Sequence, residues 1–336
     1  MMPDRRETLI RRAAGVLYGT RAIRFASWLA GYAGRRPAFP ILTYHRVNDD
    51  ADDFLPAIST SVFERHMAYV ASAYRVMPLD EMVERARKGS LPRNSLAITF
   101  DDGYRDNLTH AAPILHRHRL PATIFLATGL IGTGVISWFD RLAVALKLTK
   151  VATLRTPWGE TLILRDRTAR LAALDRAQNH LKILGDDELQ RALDGLLEAL
   201  DVPDAAAPKN LMLDWADARA LRGLGFDVGG HTVSHVILSR VSDERAWAEI
   251  QGSSSAIEAG LGSRPTAFAY PNGRAEDYTP STIDLVRKAG FAWAVTTRFG
   301  LNTAQTPAYE LRRGGPWEPD VATFALKLAV YRATHN

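Results

Sequence analysis

Ser95-Leu96-Ala97-Ile98-Thr99-Phe100-Asp101-Asp102-Gly103 decides how this chain folds. The apolar run is short and bounded by a glycine, the pattern of a strand covered on both faces, and Gly103 allows a sharp turn once the carboxylates have been presented. A buried strand thus delivers two acids to its C-terminal tip. Neighbouring residues on a strand point to opposite sides, so Asp101 and Asp102 can hold different jobs, one binding a metal and the other handling a proton. An ordinary helix N-cap would also use aspartate at such a place.

A second stretch argues for chemistry over capping. Gly229-Gly230-His231-Thr232-Val233-Ser234-His235 follows another strand-like piece, Phe226-Asp227-Val228. A helical turn beginning after His231 would put the two imidazoles, spaced i, i+4, on one face, where they could chelate a single divalent ion. A carboxylate from elsewhere would complete three protein ligands. Such a set leaves coordination positions open for water and substrate, the mark of a catalytic rather than a structural metal.

Thr99 to Gly103, His231 to His235 and Ala269-Tyr270-Pro271-Asn272-Gly273 resemble, in the same order, the three leading motifs of the polysaccharide deacetylase family, also called the NodB-homology domain or carbohydrate esterase family 4. The resemblance covers roughly Phe39 to Trp317. It implies an α/β fold, a distorted (β/α)7 barrel, and metal-dependent removal of N-acetyl groups from amino sugars. Carried over residue by residue, it implies that Asp102, His231 and His235 hold the metal and that Asp101 is the general base. Tyr270, Pro271 and Asn272 would form the turn that aims the Asn272 backbone N–H at the developing oxyanion. Zn²⁺ suits these donors, and Co²⁺, Ni²⁺ or Fe²⁺ would fit the same set.

Around these motifs the chain reads as one barrel with an insertion, since its 336 residues exceed one average domain without supplying two. Residues 1–37 form a basic N-terminal segment, 38–320 the barrel with an insertion at about 141–210, and 321–336 a C-terminal helix. Barrel strands are expected at Phe39–Val47, Leu96–Phe100, Pro121–Thr128, Phe226–Val228, Thr266–Tyr270, Phe291–Thr296 and Tyr309–Arg312. A capping box at Ser61–Glu64 predicts a helix with Phe63, Met67 and Val70 inward and His66 on the surface. The insertion is expected to hold a hairpin around Pro157-Trp158-Gly159 and a helix with Leu189, Leu193, Leu196 and Leu200 on one face. Trp138 and Trp158 are candidate sugar-stacking platforms, with core packing the plainer role for each.

Composition narrows the chemistry. There is no cysteine, which excludes disulfides, thiolate ligands and a thiol nucleophile, so any metal must use His and carboxylate. A net charge of +5 suits an acidic polymer or a lipid surface, but spread over this length it does not imply nucleic-acid binding. The N-terminal segment mixes Arg5, Arg6, Arg11, Arg12, Arg21 and Arg24 with apolar residues and reads as a basic amphipathic helix. It lacks the uninterrupted apolar run of a membrane span and the layout of a secretion signal. The expectation is a cytoplasmic protein whose basic helix either touches the inner membrane face peripherally or closes the bottom of the barrel.

One proton donor remains to be found. The strand Phe39–Val47 carries His45 to the same barrel rim as Asp101. This strand end is similar to the Tyr-His-Arg end of the exopolysaccharide-associated branch of the family, which implies that His45 is the general acid. The chain departs from the wider family elsewhere. Ala269 stands where many members carry an arginine that orients the catalytic aspartate, and Arg312 or Arg313 is the candidate replacement. Thr296-Thr297 and Leu311-Arg312-Arg313 replace an aspartate and a Leu-x-His motif. A metal-dependent hydrolase of another amide or ester, or a weakly active carbohydrate-binding relative, are the alternatives.

Overall fold

The first half of the chain runs β1 (Ile41–Tyr44), α1 (Thr60–Ala73), β2 (Arg75–Val76), α2 (Leu79–Arg87), β3 (Ser95–Phe100), α3 (Ala112–Arg117) and β4 (Thr123–Leu126). An insertion follows: α4 (Trp138–Leu148), the antiparallel hairpin β5 (Thr153–Arg155) and β6 (Thr161–Ile163), α5 (Arg167–Leu181) and α6 (Asp186–Leu200). The chain then returns through α7 (Trp215–Gly223), β7 (Asp227–Gly230), α8 (Asp243–Leu261), β8 (Ala267–Ala269), α9 (Pro280–Lys288), β9 (Trp293–Val295) and α10 (Val321–Thr334). This computed structural model describes residues 14, 15, 18, 38–203, 208–314 and 318–334, so the expected basic helix of residues 1–37 lies outside them apart from three positions. Among the described residues no helix is long and apolar enough to cross a membrane.

Parallel pairing in the order β1-β3-β4-β7-β8-β9 curls these strands into a distorted, incompletely closed barrel, with β2 paired to the start of β3. Alternation along each strand sorts the side chains into two layers. Ile41, Ala97, Phe125, Ala267, Ala269 and Val295 share the inner cluster, which α2 joins through Met82 and Val83. Leu42, Ile98, Phe100, Ile124 and Leu126 pack outward against the helices instead. This two-layer burial explains why the strands read as continuous apolar runs.

The expected seventh strand, Tyr309–Arg312, is reduced to one bridging residue. Leu311 pairs with Val295, Ala308 C=O accepts from Ala294 N–H at 2.9 Å, and the turn from Pro307 to Glu310 interrupts the ladder between them. Gly314 N–H then donates to Ile41 C=O at 3.1 Å, so this short segment links the last strand back to the first. Two elements lacked a clear signal: β2 has only two residues, and α5 buries Ala173 and Ala177 beside Leu174 and Leu181, small side chains that flatten the helical period.

The N-cap of α1 is Ser59, two residues before the expected Ser61, and its side chain accepts from Val62 N–H at 3.4 Å. Phe63, Met67 and Val70 are inward as the spacing predicts, but His66 is fully buried instead of exposed. Its ring stacks on Phe324 of α10 with centroids 3.8 Å apart, and Nε2 lies 2.7 Å from the Glu318 carbonyl. Position in the period, not polarity, decided its environment. Burial pushes this imidazole down to about 4.

The insertion has a core of its own, built from the leucines of α4, α5, α6 and the hairpin, and seated on the rim through Phe54, Leu55 and Tyr104. Trp138 packs against that core. Trp158 does so too, stacking on His180 at 4.1 Å.

Candidate active site

The inward register of β3 runs Ala97, Thr99 and on to Asp101, which therefore enters the top of the barrel interior. There it meets Arg313, a fully buried side chain whose two terminal nitrogens donate to the two carboxylate oxygens of Asp101, each at 2.7 Å. Arg313 also donates from Nε to Thr296 C=O at 3.0 Å and from Nη1 to Thr99 Oγ1 at 3.1 Å, and its guanidinium lies over the Phe125 ring. Phe125 can occupy the interior because Gly229 faces it: a Cβ on Gly229 would come within 2.5 Å of the ring. Burial opposes ionisation of Asp101, but the Arg313 charge, the nearby imidazoles and the Arg313 hydrogen bonds together hold the carboxyl below its ordinary range. Arg313, not Arg312, thus supplies the charge missing at Ala269. A bidentate buried pair of this kind costs about 3–5 kcal/mol when one partner is removed.

Asp102 leaves the strand in a left-handed conformation, φ 74°, and lines the same cavity as Asp101 instead of packing outward against the helices. Gly103 continues the turn at φ 82°, with no room for a side chain against Leu126. Directly after β7, His231 continues the ladder through its N–H to Leu126 C=O at 3.0 Å and donates from Nδ1 to Ala269 C=O at 2.7 Å. That bond leaves the Nε2 lone pair facing Asp102 Oδ1, 3.4 Å away, with His235 Nε2 at 3.3 Å from the same oxygen. Three ligand atoms at about 2.1 Å from a tetrahedral ion would be about 3.4 Å apart.

No helical turn brings the histidines together. The segment after His231 is a loop in which Thr232 and His235 both adopt positive φ, 64° and 60°, the first a rare conformation for a β-branched residue. Thr128 and Gly129 N–H groups donate to its carbonyls at 3.1 and 2.7 Å. Buried Glu249 of α8 accepts from Val233 N–H, Ser234 N–H and Ser234 Oγ at 2.8–2.9 Å. This carboxylate determines the loop, and no motif marked it; its one sequence signal is an acid on the buried face of α8.

Asp102, His231 and His235 form a buried cluster whose ligand atoms lie within 4.8 Å of one another. Asp102 Oδ1 has no hydrogen-bond partner of good geometry, although it is fully buried. Burial opposes its ionisation, yet the two imidazoles hold it well below the carboxylate range, and it in turn draws His231 upward against the effect of burial. An orphaned carboxylate oxygen facing two ring nitrogens needs a positive charge between them, and a single divalent ion would satisfy all three at once.

The cluster opens into a cavity of about 420 Å³ that His45, Asp101 and Asn272 also line. His45 is exposed at its mouth, and Asn107 anchors this strand end by donating to His45 C=O at 2.7 Å. Asn272 adopts φ 56° and stands at the rim. Tyr270 and Pro271 do not reach the cavity. Tyr270 is fully buried and stacks on Tyr278 at 4.5 Å, so any contribution from it is made by holding the turn. Neither tryptophan lines the cavity; its aromatic side chains are Phe54, Tyr104 and Phe139 of α4, the last edge-on to His235 at 5.1 Å. Asp140, next to Phe139, also lines the space, accepts from Ser137 Oγ and Tyr104 OH, and is pushed by burial up to about 6.

Comparison with known proteins agrees with this geometry. Residues 88–294 match the polysaccharide deacetylase family. YxkH of Bacillus subtilis is 21% identical over 283 residues, covering 83% of this chain and 71% of that protein. The poly-beta-1,6-N-acetyl-D-glucosamine N-deacetylase of Staphylococcus epidermidis is 31% identical over 106 residues, 27% of this chain and 37% of the relative. The solved structure of the Streptococcus pyogenes deacetylase PplD superposes with a TM-score of 0.60 at 18% identity, covering 88% of this chain and 98% of that one. The curled parallel barrel is therefore shared, the family match takes in all three leading motifs, and the chain belongs to the polysaccharide deacetylase family.

Proposed function

We propose that the protein is a metal-dependent hydrolase that removes N-acetyl groups from amino sugars of a polysaccharide, an oligosaccharide or a lipid-linked glycan. The observation that carries this reading is the pairing, within one cavity, of the Asp102/His231/His235 cluster with an ionised Asp101 held by Arg313. The S. epidermidis relative supports an N-acetylglucosamine substrate.

Asp102, His231 and His235 would hold a divalent cation, which would supply Lewis-acid polarisation of the amide carbonyl and of the attacking water. Zn²⁺ is the proposed ion, as the donors are two imidazoles and a carboxylate. Asp101 takes the proton of the attacking water; kept anionic by Arg313, it is in its proton-accepting form across neutral pH. Asn272 N–H, which has no protein acceptor among the described residues, donates to the oxyanion as charge develops there. His45 protonates the leaving amine from the cavity mouth, a general-acid task that imidazole commonly performs.

The test is acetate release by purified protein from N-acetylglucosamine oligomers, with metal content measured by elemental analysis. About one divalent ion per chain and acetate release that a chelator abolishes are expected. Hydrolysis of simple amides or esters with no release from any N-acetylated sugar would instead establish the broader hydrolase reading.

A further inference from the structure

The insertion reaches the metal cluster through the first turn of α4. Phe139 packs edge-on to His235, and the next residue, Asp140, accepts from the hydroxyl of Tyr104, two residues beyond Asp102, at 2.9 Å. Ser137, the N-cap of α4, donates to the same carboxylate oxygen, Oδ2, at 2.8 Å. Two donors on one oxygen fix the orientation of the carboxyl group. Its other oxygen, Oδ1, takes no hydrogen bond among the described residues, and no cation there pairs with it. Arg46 lies over the Tyr104 ring at 5.2 Å, but its nitrogens donate to Asp106 and to Leu55 C=O. Asp140 is almost wholly buried and still lines the cavity.

Anchoring α4 does not require a carboxylate. The amide oxygen of an asparagine would accept from Ser137 and Tyr104 equally well, without another negative charge in a cavity that already holds Asp101 and Asp102. What aspartate adds is a second acceptor oxygen at the cavity wall. The reacting amide has its own partners in Asp101, Asn272, His45 and the three ligands, so Oδ1 is left for the ring that carries the amide. A pyranose has hydroxyls, which donate to carboxylates, and C–H faces, which suit the apolar surface that Phe54, Phe139 and Leu174 contribute to the same cavity.

We propose that Asp140 is a specificity-determining residue that accepts, through Oδ1, a hydrogen bond from a hydroxyl of the N-acetylated ring, with Tyr104 as the positioning residue behind it. This names a substrate contact of the site read above as a deacetylase and rests on that reading. The insertion thereby lets the barrel tell an amino sugar from a plain acetamide, because an analogue without the hydroxyl leaves a buried acceptor unpaired.

Calorimetric titration of the full chain tests it, with Asp101→Asn present throughout so that the probe is not consumed. The probes are N,N′-diacetylchitobiose and deoxy analogues that each lack one ring hydroxyl. Asp140→Asn should weaken binding of the parent disaccharide roughly ten-fold or more, and Tyr104→Phe, which keeps the ring beneath Arg46, several-fold. Without either substitution, one deoxy analogue should lose about as much, and Asp140→Asn should weaken that analogue no further. Unchanged affinity in Asp140→Asn, or a loss that is the same for the parent and for every deoxy analogue, makes Asp140 an anchor of α4 alone and overturns the contact. Absence of binding to every probe overturns it too. Acetate release by the chain with Asp101 intact separates the two readings. Binding that depends on Asp140 with no acetate from the disaccharide removes the deacetylase function and leaves the contact, and acetate release with kcat/KM unchanged in Asp140→Asn does the reverse.

Discussion

Asp101 and Asp102 are chain neighbours built into the site by opposite means. Asp101 continues the regular inward register of β3 and is fixed by Arg313 inside the barrel, whereas Asp102 depends on left-handed backbone, as do Thr232, His235 and Asn272 around it. Regular register gives a rigid base at no conformational cost. Left-handed non-glycine residues cost of order 1–3 kcal/mol each and persist only where surrounding bonds over-determine them, which here are the contacts from Thr128, Gly129 and Glu249. On the proposed function, the barrel interior would set proton transfer and the strained rim would set metal capture.

The largest expected effects separate these two functions. Asp102→Ala should lose the metal and with it all measurable acetate release, because removing one of three ligands from an open site leaves too few. Asp101→Asn should keep full metal content, since the amide preserves shape, while kcat falls roughly 10²–10⁴-fold for want of a base. Elemental analysis and acetate assays on both variants decide the matter. Metal loss in Asp101→Asn would mean that the two aspartates act as one unit and that the division drawn here is false.

The same division explains what the sequence could and could not reveal. Strand register is a local, period-two property, so the burial of Ala97, Thr99 and Asp101 and the placing of His45 at the rim could be read from residue order. Arg313 was one of two candidates because adjacent residues on an extended segment face opposite ways, and only the fold shows which of them enters the barrel. The His231–His235 spacing suggested a helical turn, but the true loop is held by Glu249, fourteen residues beyond His235, and long-range hydrogen bonds leave no periodic trace. Tyr270 illustrates the converse: a motif residue whose side chain belongs to the core.

Glu249 offers a milder perturbation of the rim alone. Glu249→Gln keeps one acceptor but loses the charge that gathers two N–H groups and a hydroxyl, so the loop between the histidines should loosen without unfolding α8. Metal affinity should fall roughly 10–100-fold, the usual effect of removing a support behind the ligands. At saturating metal, kcat should return close to the wild-type value because Asp101 and Arg313 are untouched. Titration with a competing chelator measures the first quantity and acetate release at high metal the second. A kcat that stays low at saturation would show that the rim also governs the chemical step.

His66 asks whether position in a period outranks polarity outside the site as well. It completes the buried face of α1 begun by Phe63, Met67 and Val70 and docks α10 through Phe324 and the Glu318 carbonyl. Its imidazole is held neutral, down to about 4 in the folded protein, against about 6.5 when unfolded. The unfolded chain therefore binds the extra proton first. Its contribution to stability is fully present above pH 6.5 and is lost progressively as pH falls toward 4. Between pH 7.5 and 5 the loss from this one group is on the order of 1–2 kcal/mol. His66→Phe keeps an aromatic ring for Phe324 to stack on and cannot protonate, so its denaturation midpoint should vary less with pH than that of the wild type over this range. Parallel midpoint curves for the two proteins would mean that His66 takes up its proton without disturbing the contact with α10, and that burial at this position does not govern its titration.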